Sequence, residues 1–306
     1  MYDLNIAWSP STTPDQLLQI LTLASTLGYA TVALNHTLEL PIPSVPAAPF
    51  PPASALTSSS SSSTPNKTLP SILHRATVPL ADPAAPTFRL QTLVAAYDLV
   101  AIQPLTEKAF QSACIHLDIP LISLDLAQHF PFHFRPKNCM TAVTRGVRFE
   151  VCYAQALAAD PRGRATFIGN VTNLVRATRG RGIILSSAAK DALSLRAPAD
   201  VVNLLSVWGL PSEKGMLGLG ALPRSVVVNE GMKRSGFRGV IDVVDVAKRD
   251  VEDQGEEAAD GQAGKKNKNK GQNQKRKSGD EDTPTMSKRQ AKKLKLASRG
   301  AAAEKK

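Results

Sequence analysis

Short apolar runs alternate with amphipathic stretches along most of this chain. Each run is short, rich in β-branched or aromatic residues and bounded by polar or turn-forming residues, which is typical of buried β-strands. Because the runs are apolar on both faces, they predict a parallel sheet covered by helices. The predicted strands are Tyr2–Ala7, Tyr29–Asn35, Leu73–Leu80, Tyr97–Gln103, Pro120–Leu124, Val147–Cys152 and Gly182–Ser187.

The stretches between the strands predict helices whose ends can be assigned. Thr13 is suited to cap a first helix, with Pro14 at its first position and Gly28 just past its end. Thr106 is suited to cap another helix. A third helix is expected roughly over Gly163–Thr178. The chain is therefore expected to repeat a β–α unit.

The number of units favours one architecture. Seven or eight β–α units within about 220 folded residues predict a closed (β/α) TIM-type barrel of the α/β class. An eighth strand is not assigned, because "RSVVVNEG" (Arg224–Gly231) is compatible with a strand or a helix. An open, doubly wound α/β sheet is the alternative.

Two segments have the composition of disordered chain. Residues 41–66 are dense in Pro and Ser, and residues 251–306 consist mainly of Lys, Asn, Gln, Glu and Gly. Neither can bury enough apolar surface to offset the entropy of ordering. We expect a barrel domain over 1–40 and 67–250, an exposed insertion that can be removed without disturbing the core, and a disordered basic tail.

Charge and cysteine content indicate which class of partner and which cellular compartment to expect. The formal net charge is +11 over 306 residues, and 15 of the 37 Lys and Arg lie after residue 250. This excess indicates a polyanionic partner. Three cysteines without a C-x-x-C spacing argue for a reducing compartment and against a disulfide framework or zinc-thiolate site. No apolar run approaches the roughly 18 residues of a membrane helix, so no membrane partner is expected.

The strand ends supply polar residues but a poor catalytic set. Asp3 and Asn5 are two apart on a predicted strand and should point to one face, as metal ligands would. Asn is a weak neutral ligand, however, and of the five histidines only His36 closely follows a predicted strand. A dinuclear hydrolytic site needs several converging His and carboxylate ligands. We therefore predict no catalytic residue, metal or cofactor, and assign Asp3 and Asn5 as degenerate metal-site positions.

Two other candidate motifs favour structural interpretations. His129 and His133 in "AQHFPFHF" flank Pro131, which disfavours a regular metal-binding helix and favours an aromatic loop that packs on the barrel rim. Ser186 and Ser187 lack a G-x-S-x-G context. The other polar residues near predicted strand ends are Asn35, Gln103, Asp125 and Glu150.

Basic residues concentrate between residues 135 and 181. Arginine dominates this set, and its planar guanidinium suits phosphate and structured RNA. Cations at helix ends also favour the helix dipole, which is the alternative for any single residue. Together they predict a contiguous RNA-binding surface, formed by Arg135, Lys137, Arg145, Arg148, Arg162, Arg164, Arg176, Arg179 and Arg181.

The tail contains two short basic clusters about ten residues apart. This arrangement predicts a bipartite nuclear localisation signal, with electrostatic RNA binding as a possible second role. A plain solubilising tail is the alternative. The residues concerned are Lys275, Arg276, Lys277, Lys288, Arg289, Lys292, Lys293 and Lys295.

The sequence also resembles a known family. The segments are, in order, "YDLNIAW", "LASTLGYATVALNHT", "YDLVAIQPLTEKAFQSAC", "IPLISLDL", "GVRFEVCYA" and "LVRATRGRGIILSSAA". They are similar to the barrel protein subunit of eukaryotic nuclear ribonuclease P and ribonuclease MRP. The similarity spans nearly all of residues 1–245 and omits the insertion and the tail.

The resemblance implies a fold and a role. That family is related to the polymerase-and-histidinol-phosphatase metallohydrolases, in which the first strand ends in His-x-His; here Asp3 and Asn5 hold those positions. It implies a non-catalytic subunit that supports the catalytic RNA in 5′-leader removal from precursor tRNA and in ribosomal RNA processing. The implied partners are ribonuclease P RNA, MRP RNA, precursor tRNA through the complex, and a small ferredoxin-like subunit, in the nucleus and nucleolus. The alternatives are a metal-dependent phosphoesterase or nuclease on the same barrel, and a protein-only nuclear scaffold.

Overall fold

All seven predicted strands form, and they lie side by side in chain order. The computed structural model describes residues 1–39, 50, 69–84 and 90–235. Every neighbouring pair of strands is parallel. The strands are β1 (Tyr2–Ala7), β2 (Thr31–Thr37), β3 (Ser71–Leu80), β4 (Leu99–Pro104), β5 (Leu121–Ser123), β6 (Arg148–Cys152) and β7 (Ile183–Ser186).

Backbone hydrogen bonds between the first strand and the segment after the last one close the sheet. The amide of Ala7 donates to the carbonyl of Ala189 at 3.0 Å, and the amide of Ala188 donates to the carbonyl of Asn5 at 2.7 Å. Ile6 and Ala189 form a parallel bridge. The prediction of a closed TIM-type barrel is therefore confirmed, with seven strands, and the open sheet is wrong.

Helices follow the strands and cover the outside of the barrel. In the described part of the chain they are α1 (Pro14–Thr26), α2 (Leu90–Ala96), α3 (Glu107–Ile115), α4 (Pro136–Thr144), α5 (Tyr153–Ala158), α6 (Pro161–Thr178), α7 (Pro198–Val207), α8 (Ser212–Leu219) and α9 (Ala221–Ser235). None of these helices is both long enough and apolar enough to cross a membrane.

The helix ends follow local capping chemistry. Thr13 accepts a hydrogen bond from the amide of Gln16 at 3.3 Å, and the Gln16 side chain accepts one from the amide of Thr13, which is a complete capping box. Thr106 caps α3 as predicted, with its side chain accepting a hydrogen bond from the amide of Ala109. Helix α6 begins two residues earlier than predicted because Asp160 accepts from the amide of Gly163 at 2.8 Å.

The unassigned segment Arg224–Gly231 is helical and lies in α9. Val226 on this helix packs in the inner cluster of the barrel with Leu4, Leu99 and Ile184. Farther along α9, the guanidinium of Arg234 donates to the carbonyl of Tyr97 at 3.0 Å, just before β4 begins. Helix α9 therefore covers the amino end of the barrel, and the segment considered for an eighth strand is helical.

Phe50 is the one residue between 40 and 68 that the structure describes, and it packs on the core. Its ring stacks on His74 with centroids 4.5 Å apart and lies 4.8 Å from Trp8. This contact is contrary to the expectation that the whole insertion is exposed. The other residues of 41–66, all of 251–306 and the predicted nuclear localisation residues lie outside the described part, and their disorder stays a prediction.

Candidate nucleic-acid interface

The carboxyl ends of the strands surround a mouth that is lined mainly by neutral residues. The pocket there has a volume of about 530 Å³. His36, the histidine that follows a predicted strand, is absent from its lining, and its ring lies edge-on against Trp8 on the outside, with centroids 5.7 Å apart. Alanines occupy much of the wall, and the uncharged polar residues include Asn5, Asn35, Thr37, Thr77, Gln103, Ser123 and Gln155.

Asp3 and Asn5 do not share a face, so that prediction is wrong. Between Asp3 and Ile6, β1 advances three residues while its partner β2 advances two, which is a β-bulge. As a result Leu4 packs in the inner cluster whereas Ile6 packs in the outer one. The bulge reverses the alternation, so Asn5 points into the barrel and Asp3 does not.

Asp3 stabilises the bulge and the closure of the barrel. Its Oδ1 accepts hydrogen bonds from the amide of Asn5 at 3.1 Å and from the amide of Ser187, just after β7, at 3.0 Å. The residue is 1% exposed. Burial raises the pKa of Asp3 to about 6, although these hydrogen bonds act in the opposite direction. Asp3 is thus a structural carboxyl group whose pKa lies well above its ordinary value.

Asn5 is fully engaged inside the barrel. Its Nδ2 donates to Oε2 of Glu150 at 3.1 Å, and its Oδ1 accepts from Nδ2 of Asn35 at 2.9 Å. Asn35 in turn accepts from the hydroxyl of Thr77 at 2.7 Å. The amide therefore acts as a link in a hydrogen-bond network.

An ion pair between Arg75 and Glu150 lies at the centre of this network. The guanidinium is bidentate, with Nη1 at 2.5 Å from Oε1 and Nη2 at 2.6 Å from Oε2. Both side chains have zero exposure. Nη1 also donates to the carbonyl of Leu4 at 2.6 Å, and Ser123 donates its hydroxyl to Glu150 at 2.7 Å. Burial alone raises the pKa of Glu150, but the adjacent guanidinium outweighs it and keeps the pKa below its ordinary value.

These residues do not fit a divalent metal. The interior carboxylate, Glu150, already has both oxygens bound to a guanidinium whose positive charge repels a second cation. Among the described residues, no group of three or more His, Cys, Asp or Glu side chains is placed to hold a metal ion. Asn5, at the position of the degenerate site, uses both ends of its amide within the protein.

Sequence reasoning missed Arg75. Its strand was predicted correctly, but the arginine inside the run "ILHRATVPL" received no role. The signal was its isolation among apolar residues, because a charge in a fully buried strand needs a partner of opposite sign. Glu150 is a second charge within a predicted strand, between the apolar residues Phe149 and Val151. Pairing these two buried charges across the barrel would have found the network.

Helices α4 and α6 pack against each other and place the predicted RNA-binding residues on one side of the barrel. Helices of the barrel run opposite to its strands, so each begins near the mouth and ends near the amino end. Helix α6 has 18 residues and a length of about 27 Å. The nine residues therefore fall at the two ends of these helices, and their contiguity stays a prediction. At or just before the beginnings of the helices lie Arg135, Lys137, Arg162 and Arg164; at or just after their ends lie Arg145, Arg148, Arg176, Arg179 and Arg181.

Four of the nine have structural roles or restricted access. Arg145 donates to two carbonyl oxygens at the end of α3, at 2.9 and 2.7 Å. Arg164 donates to carbonyl oxygens at the end of α5. Arg135 forms an exposed ion pair with Glu107 at 2.8 Å. Arg148 is half-buried, and burial lowers its pKa. Helix-end stabilisation thus accounts for Arg145 and Arg164.

Five of the nine are exposed, and their side chains have no hydrogen bond or ion pair to any other residue in the described ranges. They are cations available to an external anion, and they occur at both ends of the side formed by α4 and α6. These residues are Lys137, Arg162, Arg176, Arg179 and Arg181.

Comparison with known proteins identifies relatives. The sequence model of the family described as RNase P subunit p30 matches residues 1–235. Ribonuclease P protein subunit p30 of Mus musculus is 34% identical over 230 residues, which cover 72% of this chain and 82% of that protein. Ribonuclease P/MRP protein subunit RPP1 of Saccharomyces cerevisiae is 27% identical over 254 residues, covering 79% and 84%.

The fold also matches a solved structure. A chain in the cryo-EM structure of archaeal Ribonuclease P with mature tRNA superimposes with a TM-score of 0.60 at 12% identity. The match covers 81% of this chain and 100% of the other. The barrel architecture is therefore shared at this low level of identity.

Separating the central ion pair should destabilise the barrel strongly. Arg75→Met leaves Glu150 as an unpaired buried charge, so we expect a loss of about 3–5 kcal/mol in the free energy of unfolding. The double variant Arg75→Met/Glu150→Gln has no buried charge, so its loss should be smaller than the sum of the two single losses. Urea denaturation of the three variants and the wild type measures the coupling. Additive losses would contradict the assignment.

The raised pKa of Asp3 should make stability fall with increasing pH. A carboxyl group whose pKa is higher in the folded state stabilises fully below its unfolded pKa of about 4 and loses this contribution as the pH rises through 6. The contribution lost is about 1–3 kcal/mol. Asp3→Asn lacks this contribution at every pH. Between pH 4 and 7 the free energy of unfolding of the variant should therefore rise relative to that of the wild type. Denaturant titrations across that range test this, and a constant difference would refute it.

Proposed function

The chain belongs to the RNase P subunit p30 family, and on this premise we propose that it is a non-catalytic protein subunit of the RNase P and RNase MRP ribonucleoproteins. In this role it supports the RNA component in 5′-leader removal from precursor tRNA and in ribosomal RNA processing. The observation that carries the proposal is the family match over residues 1–235, which includes the whole described barrel.

The barrel interior supports a non-catalytic role. A metal-dependent phosphoesterase needs carboxylate and imidazole ligands that converge on an open coordination site. Here Glu150 is paired with Arg75, and Asp3 bonds backbone amides outside the interior. The competing hypothesis of an enzyme on the same barrel therefore has no ligand set among the described residues.

The basic side of the barrel, which is the side formed by α4 and α6, supports binding to RNA. Lys137, Arg162, Arg176, Arg179 and Arg181 are exposed cations without a partner in the described part of the chain. Because Arg162 lies at the beginning of α6 and Arg179 just past its end, about 25 Å farther along the helix axis, these cations suit phosphates of separate segments of a folded RNA. Arg135, Arg145, Arg148 and Arg164 contribute positive potential to the same side while they hold their structural contacts.

The finer assignments follow from the resemblance and from the tail. A small ferredoxin-like protein subunit is the proposed direct protein partner, with ribonuclease P RNA, MRP RNA and precursor tRNA as the RNA partners. The basic clusters from Lys275 to Lys295 support import into the nucleus, and the role in ribosomal RNA processing supports a nucleolar location.

Removing free cations at either end of α6 should weaken RNA binding. We expect Arg179→Gln/Arg181→Gln and Lys137→Gln/Arg162→Gln each to lower the affinity of the full-length protein for RNase P RNA by at least about tenfold at low salt. The slope of log affinity against log salt should fall by about 0.7–0.9 for each lost phosphate contact. Thermal stability should stay near wild type, because exposed charges contribute little to folding. Filter binding over a salt series measures both quantities.

A control removes the same charge elsewhere. The side chains of Lys108 and Lys190 are also exposed and without a partner in the described ranges; Lys108 lies on α3 and Lys190 lines the mouth, so neither is on α4 or α6. The Lys108→Gln/Lys190→Gln variant should keep the affinity and the salt slope close to wild type. If all three double variants weaken binding equally, the charges act nonspecifically. If all three bind like the wild type, the protein-only scaffold becomes the better account.

A further inference from the structure

A cleft of about 630 Å³ lies on the basic side, between α6 and the aromatic loop of residues 129–134. The sequence predicted this loop to pack on the barrel rim, and the loop indeed precedes α4, near the mouth. Its aromatic rings form one wall of the cleft, and Asn170, Asn173 and Arg176 of α6 form the other. Of its lining residues, only Arg176 has a role in the function proposed above.

The cleft is a built part of the folded protein. Nδ2 of Asn170 donates to the carbonyl of Leu126 at 2.8 Å and to that of Gln128 at 2.9 Å, which ties the start of the loop to α6. Phe132 is buried, and its ring stacks on Phe110 of α3 with centroids 5.0 Å apart. These contacts fix both walls before any ligand arrives.

The loop presents aromatic surface to the cleft. Phe130 and Phe134 are half-buried above Phe132, with the rings of Phe130 and Phe134 5.3 Å apart. His129 and His133 are exposed at the rim. Rings held rigidly by other rings are suited to stack on a planar aromatic ligand, as in proteins that bind single-stranded nucleic acids.

The helix wall provides the polar groups that a nucleotide needs. Asn173 and Arg176 are three residues apart on α6, both exposed, and neither side chain has a partner among the described residues. An amide can bond the edge of a base, and a guanidinium can bond a phosphate. No Asp or Glu belongs to the lining. An anionic ligand with an aromatic ring is therefore favoured over an uncharged or basic peptide.

We propose that an unpaired nucleotide of the RNA component inserts its base into this cleft, with the base against Phe130, its edge at Asn173 and its phosphate at Arg176. The inference rests on the proposed function and makes it more specific. The basic side then recognises an unpaired position in addition to backbone charge. Unpaired bases are the part of an RNA that aromatic side chains can reach.

The test measures binding of the full-length protein to RNase P RNA over a salt series. Phe130→Leu keeps an apolar side chain but removes the aromatic face, and Asn173→Ala removes the amide from an exposed position. Each should weaken binding about 5- to 100-fold with an unchanged salt slope, because stacking and base-edge contacts release no counterions. Arg176→Gln should lower both the affinity and the slope.

Asn203→Ala is the matched control, since Asn203 is an exposed asparagine on α7 outside the cleft.

Wild-type binding by Phe130→Leu and Asn173→Ala would overturn the cleft proposal, while weak binding by the double variants of the basic side would leave the proposed function intact. If those double variants also bind normally, the proposed function fails as well. Normal RNA binding by the cleft variants with loss of a protein subunit from the particle would show a protein occupant and overturn the proposal.

Discussion

The ion pair between Arg75 and Glu150 is the interaction on which the barrel interior depends. It joins β3 to β6 across the barrel, and its hydrogen bonds extend to the carbonyl of Leu4 in β1 and to Ser123 in β5. Two buried charges are costly to remove from water, and only close pairing with further hydrogen bonds offsets that cost. The bidentate geometry and the surrounding amide and hydroxyl groups meet this condition. The protein's own guanidinium thus provides the positive charge that the interior carboxylate requires.

This arrangement has a consequence for function. Because the carboxylate inside the barrel is paired internally, and because the two aspartates that line the mouth, Asp125 and Asp191, belong to no group of three described ligands that could hold a metal, the open mouth has little capacity for metal-dependent chemistry. Five exposed cations without a side-chain partner in the described ranges lie instead on the outer side formed by α4 and α6. Helix α6 is central to that side, because Asp160 caps its beginning, Asn170 holds the aromatic loop, and Arg176 and Arg179 lie at its end. The same helix therefore supports the wall of the barrel and displays the groups proposed to bind RNA.

The features that sequence predicted well are those that short segments determine. Strand runs such as Tyr2–Ala7 have their apolar pattern in one stretch, and the caps at Thr13 and Thr106 involve neighbours three residues away. The basic residues were identified by type and density, but their distribution between the beginnings and the ends of α4 and α6 depends on where these helices begin and end. The sequence pattern could not distinguish strand from helix at Arg224–Gly231, because Val226 is buried by packing against the barrel end.

Other features depend on contacts between distant segments and escaped prediction. The bulge in β1 separates Asp3 from Asn5 because Ser187, far along the chain, provides an amide for the Asp3 carboxylate. The structural role of Arg75 depends on its ion pair with Glu150, which is 75 residues away in the chain. Phe50 lies in a segment of disordered composition, yet its ring finds His74 and Trp8. The β1 bulge, the role of Arg75 and the position of Phe50 all depend on partners far away in the chain, which hydrophobic periodicity cannot identify.

Ultraviolet crosslinking of the particle purified through the full-length protein, followed by mass spectrometry of the crosslinked peptides, tests most directly where RNA lies on this barrel. The account predicts crosslinks in the aromatic loop and in the peptides of α4 and α6, and none at mouth residues such as Asn35 and Gln103. Crosslinks confined to the mouth would contradict it, because they would place the RNA at the ends of the strands and not on the outer side formed by α4 and α6.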